Sequence, residues 1–269
     1  MRIVITSDTH YTAAWHDILA RHIAEIAQLQ PDCVVVAGDV GEGVNGFDLL
    51  LKLLETLPCP RLILAGNHDL WINRADKSTT SDQLWAEVLP RLTRERGAIW
   101  LEDTAWVQDG IAVCGTLGWY DYSARDPAIA MTPDDYARRK MEFIADAYLM
   151  RWERSDIDFA NEIGAALERR LAALNADVNV RQIVVATHVP AFEEGIARKP
   201  GNVGWNTSNA YFGNLTLGAR IAACPKVTHV ISGHTHVGKR ATVQGASGAI
   251  HMEVIPADYG RPAYTIIDI

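Results

Sequence analysis

The chain has 269 residues, of which 48% are apolar and 22% are charged, and its mean hydropathy is −0.02. This composition is typical of a globular protein with enough material to bury a substantial core. The net charge of −8 and the pI near 5.6 provide no overall positive field to attract nucleic acid. This argues against a dedicated DNA- or RNA-binding protein. Nucleic acid could then be bound only by a local basic groove.

The first third of the chain alternates short apolar runs with amphipathic stretches. Strands are predicted at Arg2 to Thr6, Cys33 to Ala37 and Arg61 to Ala65, and helices between them at 18–29 and 47–57. Continuous apolar strands separated by helices indicate βαβ units and a sheet that is covered on both faces.

After a predicted helix at 82–96 the pattern changes. Short strands are predicted at 99–101, 105–108 and 111–115, and Asp109-Gly110 predicts a hairpin turn between the last two. We therefore expect antiparallel pairing to begin in this part of the chain.

The segment from about 119 to 175 has the pattern of a helical insertion or cap. Helix starts are predicted at Thr132-Pro133 and at Ser155, and apolar side chains at helical spacing follow Ser155. Trp119-Tyr120-Asp121-Tyr122 either lines a pocket with aromatic surface or belongs to the core, and the sequence leaves both alternatives open.

The last part of the chain returns to strands, which are predicted at 181–187, 227–232, 242–243, 250–255 and 264–267. A loop rich in glycine, asparagine and proline is predicted at 190–209. The sequence shows no internal repeat and no linker-like change of composition. We therefore expect residues 1–269 to form a single domain that carries the 119–175 helical insertion.

The cysteine usage and the apolar runs indicate a cytoplasmic protein. The chain shows neither an apolar run of membrane-spanning length nor an export signal, so we expect no membrane partner. The four cysteines have no C-x-x-C spacing, and we expect reduced thiols in or near the core instead of a disulfide or a zinc-thiolate site. They are Cys33, Cys59, Cys114 and Cys224.

Five short polar patterns follow predicted strands, at the strand ends where α/β sheets place their ligand sites. Each pattern alone is a common turn or helix cap. Together they contain five of the nine histidines, which random placement would rarely produce. Their side chains offer oxygen and nitrogen atoms, the mixed carboxylate and imidazole ligands that two divalent ions need. In chain order the patterns are Asp8-Thr9-His10, Gly38-Asp39, Gly66-Asn67-His68-Asp69, Thr187-His188 and Gly233-His234-Thr235-His236.

The four remaining histidines show no ligand spacing, and we interpret them as structural or surface residues. They are His16, His22, His229 and His251.

The order of the five patterns, D-x-H, G-D, G-N-H-D, H and G-H-x-H, resembles the signature of the calcineurin-like metallophosphoesterase superfamily, from residue 3 to about 240. The resemblance implies an α/β fold with a four-layer α/β/β/α sandwich, and a metal-dependent phosphoric ester hydrolase. It also implies two divalent metal ions, which Mn, Fe, Zn, Co or Ni could supply because the same ligand atoms accept each of them. In such a site the ions lie about 3.5–4 Å apart and share the hydroxide that attacks phosphorus.

The resemblance gives a role to each residue of the patterns. It implies three ligands for each ion and one shared ligand: Asp8, His10 and His236 for one ion, Asn67, His188 and His234 for the other, and Asp39 for both. His68 would be the general acid. Asp69 would hold the orientation of the His68 imidazole and favour its protonated form, although a simple loop cap also explains Asp69.

The predicted substrate is a phosphate mono- or diester of a small soluble molecule, such as a nucleotide, a cyclic nucleotide or a phosphorylated metabolite. A nuclease of the same fold would need a basic groove and an accessory DNA-binding region. A non-catalytic binding scaffold would be expected to lose metal ligands or His68. A lipid-precursor pyrophosphatase of the superfamily would carry arginine at the place of His68. The choice between mono- and diester, the role of the insertion and the oligomeric state are not predicted by the sequence.

Overall fold

The computed structural model describes residues 1–72 and 78–269. In these residues the strands form one five-stranded and one six-stranded sheet. The strands are β1 (Arg2–Thr6), β2 (Cys33–Ala37), β3 (Arg61–Leu64), β4 (Ile99–Trp100), β5 (Trp106–Gln108), β6 (Ile111–Thr116), β7 (Gln182–Thr187), β8 (Val227–Ser232), β9 (Lys239–Gln244), β10 (Ala249–Val254) and β11 (Tyr264–Asp268). The helices are α1 (His16–Gln28), α2 (Gly43–Leu54), α3 (Ser81–Gln83), α4 (Leu89–Glu95), α5 (Pro133–Arg139), α6 (Asp146–Leu149), α7 (Asp156–Ala176), α8 (Val203–Ser208) and α9 (Leu215–Ala222).

The first sheet has the order β11-β1-β2-β3-β4. Strands β1 to β4 are parallel, and β11 pairs antiparallel with β1. The predicted βαβ units are confirmed, because α1 connects β1 to β2 and α2 connects β2 to β3. The register places Val35 between Ile5 and Leu62 in the middle of the sheet. These strands are apolar on both faces because both faces are covered.

The second sheet has the order β5-β6-β7-β8-β10-β9, and the expected change to antiparallel pairing after residue 99 is wrong for most of this region. Strand β4 lies parallel to β3, because α3 and α4 connect the two as a further crossover, and β6, β7 and β8 are also parallel. Antiparallel pairing occurs in the predicted β5–β6 hairpin, where Asp109 and Gly110 have φ values of 49° and 78°. Two successive positive φ values are typical of the type I′ turn of short hairpins.

Four layers pack around three apolar clusters, so the predicted α/β/β/α sandwich is confirmed. Helices α1 and α2 cover the outer face of the first sheet, where Val36 is buried. The next residue towards the start of β2, Val35, points to the other face and lies in the cluster between the sheets with Val184. Helices α7 and α9 cover the second sheet through Leu167 and Leu217. Each fully buried side chain of this kind stabilises the fold by roughly 1.5–3 kcal/mol.

Both helix starts predicted within the 119–175 segment are confirmed. Thr132 caps α5 and Ser155 caps α7, and each side chain accepts a hydrogen bond from the backbone N–H three residues further on. Helix α7 packs on the second sheet, whereas residues 143–146 lie beside the predicted metal ligands. The division of the chain into one domain with an insertion stays a prediction.

The aromatic group at 119–122 belongs to the core. Trp119, Tyr120 and Tyr122 are fully buried in the cluster that covers the first sheet. The Trp119 indole N–H donates to the carboxylate of Asp156, which satisfies its polar atom. Of the two alternatives for this group, the structure therefore supports the core.

The loop predicted at 190–209 contains the short helix α8. Its N-cap residue Asn202 accepts a hydrogen bond from the backbone N–H of Trp205. The helix was missed because six residues with a glycine and polar side chains carry too little apolar periodicity to be recognised.

All four cysteines are unpaired, as expected, and three of them are buried. Burial raises the pKa of the Cys114 thiol to about 12, so this group is unreactive near neutral pH. No helix among the described residues combines the length and the hydropathy that crossing a bilayer requires.

His22 on α1 is a buried histidine outside the strand-end patterns. Its Nε2 lies 3.1 Å from the Thr6 hydroxyl, which donates its own hydrogen to the carbonyl of Ala263. Burial lowers the pKa of His22 from 6.5 to about 4. Because the folded-state pKa lies below the unfolded value, the unfolded state binds the proton first, and stability is lost as the pH falls from about 7 towards 4.

Replacing His22 by leucine is expected to remove this part of the pH dependence. Between pH 7 and pH 5 the wild type should lose about 2 kcal/mol more unfolding free energy than His22→Leu, measured by urea unfolding at both pH values. His16→Leu, at the exposed first residue of α1, is the matched control. Equal losses in the wild type and in His22→Leu would show that His22 is not the titrating group.

Candidate metal centre

The predicted ligands follow the carboxyl ends of β1, β2, β3, β7 and β8, and the structure brings these strand ends together. The two sheets meet there through the backbone N–H of His234, which donates to Asp8 Oδ1 at 2.9 Å. His188 Nδ1 lies 3.0 Å from the carbonyl oxygen of Ala37 across the same cleft. Parallel strands end at the same edge of their sheet, so residues far apart in the sequence share one cleft.

The backbone around this cleft is strained. Among the described residues, eight non-glycine residues have a positive φ, and five of these are predicted ligands. A left-handed backbone at such residues costs on the order of 1–2 kcal/mol each and is concentrated at functional sites. The five are Asp8 (52°), His10 (41°), Asp39 (48°), His234 (71°) and His236 (55°).

Two glycines of the patterns permit the close approach of these loops. A Cβ on Gly66 would lie 2.1 Å from Asp39 Oδ1, and one on Gly233 would lie 2.3 Å from Asp8 Oδ2. Any side chain at either position would therefore displace a predicted ligand.

One group of ligand atoms comes from Asp8, His10, Asp39 and His236, and these atoms all lie within 4.8 Å of one another. His10 Nε2 is 3.4 Å from His236 Nε2 and 3.5 Å from Asp39 Oδ2. His236 Nε2 is also 3.5 Å from Asp8 Oδ1. Asp8, His10 and Asp39 are buried, so these atoms face one another and not bulk water.

The hydrogen bonds of the two imidazoles show that this group fits a cation. His10 Nδ1 lies 2.9 Å from Glu42 Oε1, and His236 Nδ1 lies 3.1 Å from Asp258 Oδ1. Each Nδ1 therefore carries a proton, and the two Nε2 atoms present lone pairs to each other and to carboxylates. Only an electron-pair acceptor, a proton or a metal cation, is stable between them. Burial lowers the pKa of His236, but Asp8 and Asp258 outweigh it and raise the pKa to about 9, so the surroundings attract positive charge.

A second group consists of Asn67, His188 and His234. Asn67 Oδ1 is 3.1 Å from both His188 Nε2 and His234 Nδ1, and these two nitrogens are 3.3 Å apart. The other nitrogens of the two rings face the backbone carbonyls of Ala37 and Tyr211. Three electron-pair donors therefore converge, and this oxygen and nitrogen set again fits a divalent metal ion.

Asp39 belongs to both groups. Its Oδ1 is 3.3 Å from His188 Nε2, and its Oδ2 is 3.5 Å from His10 Nε2. Burial alone would raise the pKa of Asp39, but the imidazoles of His188, His68 and His10 hold it well below its usual range. Asp39 is therefore an ionised carboxylate with one oxygen for each group.

His68 lies at the edge of the same cleft with its side chain partly exposed. Its Nδ1 is 3.0 Å from Glu42 Oε1, and its ring stacks on Trp71 with 3.5 Å between the centroids. Burial lowers the pKa of His68, but the carboxylates of Asp39 and Glu42 outweigh it and raise the pKa. The ring is thus held on one face and at one nitrogen, and its cationic form is favoured.

We expected Asp69 to contact the His68 ring, but no hydrogen bond between the two is found in the described residues. The Asp69 carboxylate is fully buried and accepts from the backbone N–H groups of Val40, Gly41 and Gly66 at 2.8–3.1 Å. Asp69 therefore ties the loop after β2 to the loop after β3, which corresponds to its alternative interpretation as a loop cap. None of these three hydrogen bonds involves the His68 ring, so they do not support the orienting role expected of Asp69.

Glu42 has the contacts that were expected of Asp69, and the sequence analysis missed it. It accepts from both His10 Nδ1 and His68 Nδ1, so one carboxylate orients a predicted ligand and the predicted general acid. The available signal was its place three residues after Asp39, in the same strand-end loop. Asp258, which bonds His236, has no comparable signal because it follows a strand outside the five patterns.

A cavity of about 380 Å³ opens onto the cleft. Its lining combines predicted ligands and the predicted general acid with largely aromatic and apolar side chains. The former are Asp39, Asn67, His68, His234 and His236, and the latter include Trp71, Phe143, Ile144, Phe212 and Tyr259. Larger cavities of about 570 and 750 Å³ lie elsewhere on the described part of the chain, but none of the predicted ligands lines them. The smaller cavity is therefore the one that can hold a reacting group.

Comparisons with known proteins agree with this fold. A family model described as "Calcineurin-like phosphoesterase" matches residues 1–238. No curated protein matches the chain significantly.

Among solved structures, the phosphopantetheinyl hydrolase PptH from Mycobacterium tuberculosis is similar, with a TM-score of 0.70 and 20% identity over 96% of this chain and 90% of that chain. A dimetal phosphatase from Danio rerio has a TM-score of 0.57 and 15% identity over 99% of this chain and 91% of that chain. At these identities the likeness shows the fold alone.

Proposed function

Because the chain belongs to the calcineurin-like phosphoesterase family and is a metal-dependent phosphoric ester hydrolase, we propose that it hydrolyses a phosphate mono- or diester of a small soluble molecule at a binuclear metal centre in the 380 Å³ cavity. The observation that carries this proposal is the position of Asp39. Its two oxygens face two separate groups of nitrogen and oxygen donors, next to His68. A shared carboxylate is the part of a two-metal site that a single-metal site does not need.

The proposed ligands are those implied by the sequence: Asp8, His10 and His236 for one ion, Asn67, His188 and His234 for the other, and Asp39 for both. Two bound divalent ions supply an activated water and neutralise the charge that develops on the phosphate oxygens. Mn, Fe, Co, Ni and Zn all accept this donor set. The identity of the metal is therefore to be determined by reloading the metal-free protein with each ion in turn.

His68 is proposed to donate a proton to the leaving oxygen. Glu42 accepts the hydrogen on Nδ1, so Nε2 of the cationic ring carries the proton that is free to move. The stacked Trp71 ring restricts rotation of the imidazole and keeps this nitrogen at the cavity. Glu42 and Trp71 thus orient the proton donor from two directions.

The cavity supports a small substrate with an apolar or planar leaving group. A volume of about 380 Å³ lies at the lower end of the range for small-molecule sites. Phe143, Ile144 and Phe212 offer apolar surface to the group that leaves. A nuclease would need an extended basic groove, and the net charge of −8 argues against it. A protein that only binds its ligand would not need a proton donor, His68, held in a fixed orientation beside two sets of metal-binding side chains.

We also propose that residues 1–269 form one domain and that the part of the 119–175 segment around 143–146 serves as a wall of the substrate cavity. The contacts of Phe143, Ile144 and Asp146 with the same cavity as the ligands support this division. A cytoplasmic location is proposed from the four unpaired cysteines, which a reducing compartment would keep in this state.

A metal-reconstituted assay tests the proposal. Protein stripped with a chelator and reloaded with Mn²⁺, Fe²⁺, Co²⁺, Ni²⁺ or Zn²⁺ is given p-nitrophenyl phosphate or bis-p-nitrophenyl phosphate. We expect hydrolysis of at least one ester with at least one metal, and none in the stripped protein. A panel of nucleotides, cyclic nucleotides, sugar phosphates and a phosphopantetheinyl ester, suggested by the name of the similar hydrolase, then narrows the substrate. Undiminished hydrolysis after stripping, or none with any metal, would contradict the proposal.

A further inference from the structure

Asp146, the first residue of α6, is a buried acid that is neither a proposed metal ligand nor the proposed proton donor. Its side chain is 3% exposed and lies in the wall of the cavity. Oδ1 accepts from Asn67 Nδ2 at 2.9 Å and from the Trp71 indole N–H at 2.7 Å, and Oδ2 accepts from the Tyr120 hydroxyl at 3.0 Å. These donors come from two other parts of the chain, so this carboxylate is a junction between α6, the loop after β3 and the core.

The bond to Asn67 decides which end of its amide faces the predicted metal position. A carboxylate only accepts hydrogen bonds, so the NH₂ group of Asn67 must point to Asp146. The amide oxygen then points to His188 Nε2 and His234 Nδ1, both at 3.1 Å. With the opposite orientation, the NH₂ group would point at the cation and could not bind it.

The bond to Trp71 reaches the predicted proton donor. The Trp71 ring stacks on His68 at 3.5 Å between centroids and 30° between planes. The indole N–H is the polar handle of this ring, and Asp146 holds it. The position of the Asp146 carboxylate therefore sets the surface on which the His68 imidazole rests.

The third donor, Tyr120, anchors the acid to the core. The Tyr120 side chain is fully buried and stacks on Trp119 with 4.5 Å between centroids. Its hydroxyl fixes the second carboxylate oxygen, so the plane of the Asp146 carboxylate is defined at both ends. A carboxylate that accepts three hydrogen bonds from fixed donors can keep the Asn67 and Trp71 side chains in fixed positions relative to each other.

From these contacts we propose that Asp146 is a positioning residue that orients the ligand amide of Asn67 and, through Trp71, the imidazole of His68. The proposal rests on the proposed function for the roles of Asn67 and His68. It gives α6 a part in the chemistry, because this short helix carries the acid that sets the geometry of the loop after β3. Asp146 does not itself touch the reacting atoms.

Three variants separate the contacts of Asp146. Asp146→Ala removes both acceptor oxygens, so the Asn67 NH₂ group, the Trp71 indole N–H and the Tyr120 hydroxyl all lose their partner. Trp71→Phe keeps an aromatic ring beside His68 and removes the indole N–H bond, together with the volume of one of the two fused rings. Tyr122→Phe removes a buried hydroxyl bond of the same aromatic group, to Asp156, and leaves Asp146 and its three donors in place, so it is the matched control for loss of a buried hydrogen bond.

The first readout is metal binding, measured by calorimetric titration of Mn²⁺ into the metal-free proteins. Asp146→Ala is expected to weaken one of the two binding steps by roughly 10–100-fold, as loss of a partner that orients a metal ligand generally does. Trp71→Phe and Tyr122→Phe are expected to bind both ions as the wild type does. If Asp146→Ala does not fold, Asp146→Glu, which keeps the charge but displaces the oxygens, is expected to weaken the same step to a smaller extent.

The second readout is the split between kcat and KM at saturating metal. Asp146→Ala and Trp71→Phe are both expected to lower kcat while KM stays within a factor of about three, since the other walls of the cavity remain. A folded Asp146 variant with both metal affinities and kcat unchanged, or Trp71→Phe with unchanged kcat, would overturn the proposal. Failure of the proposed function would appear differently, as a wild type that binds no metal or hydrolyses no ester.

Discussion

Asp39→Asn is expected to abolish metal-dependent turnover, with kcat/KM lower by at least ~10³-fold, since the charge stabilisation lost from a metal site amounts to several kcal/mol. The two carboxylate oxygens of Asp39 face the two donor groups, at 3.5 Å from His10 Nε2 and 3.3 Å from His188 Nε2. An asparagine of the same shape offers an oxygen to one group and an NH₂ to the other, so the second group loses its shared ligand. Elemental analysis should accordingly find fewer than two metal ions per chain.

The matched control for this prediction is Asp48→Asn. Asp48 is a partly exposed carboxylate that pairs with Arg96 at 2.8 Å and takes no part in the cleft. It should retain wild-type turnover and metal content, because an ion pair of this kind contributes little beyond local stability. Full activity and two bound ions in Asp39→Asn would contradict the assignment of Asp39 as the shared ligand.

His68→Ala is expected to lower kcat for an alkyl phosphate ester by roughly 10²–10⁴-fold, the usual contribution of a general acid, while both metal ions stay bound. The imidazole of His68 is not needed for either donor group, since its Nδ1 faces Glu42 and its Nε2 lies 3.9 Å from the nearest Asp39 oxygen. Elemental analysis and steady-state kinetics on the ester class that the wild type hydrolyses measure the two effects separately.

The leaving group provides an internal test of the role of His68. An alkyl phosphate needs a proton on its leaving oxygen, whereas p-nitrophenolate leaves without one. The loss in His68→Ala should therefore be large for the alkyl ester and small for the nitrophenyl ester. His16→Ala, which removes an exposed imidazole bonded to Tyr11, is the matched control and should keep wild-type rates. An equal loss for both esters would indicate that His68 acts on binding and not as the acid.

Glu42→Gln extends this test to the orienting carboxylate. Glutamine still accepts one hydrogen bond but carries no charge, so the His68 cation loses a stabilising partner. We expect a smaller loss of kcat than in His68→Ala and the same dependence on the leaving group. The comparison distinguishes an orienting role of Glu42 from a purely structural one, which would affect both esters equally.

The local patterns of the sequence were sufficient for the framework of the site. Strands β1, β2 and β3 are continuous apolar runs, and a polar pattern follows each of them, so the place of Asp8, Asp39 and Asn67 at strand ends could be read from neighbours in the chain. The four-layer fold followed from the resemblance and is confirmed by the clusters on either side of the sheets. The direction of β4 was not predictable, because two apolar residues do not reveal which neighbour they pair with.

Side-chain orientation was decided by the tertiary structure alone. Asp69 adjoins His68 in the sequence, yet it points inward to three backbone N–H groups, while Glu42, from a different loop, holds the imidazole. Asp146 is separated from Asn67 by 79 positions, and no periodicity links the two.

Composition, strand ends and residue types therefore determined which residues of this protein could bind metal, since these depend on short-range preferences of the chain. Which carboxylate orients which ring depended on the packing of distant segments. Hydrogen bonds act over about 3 Å, and only the folded chain brings their partners within that range.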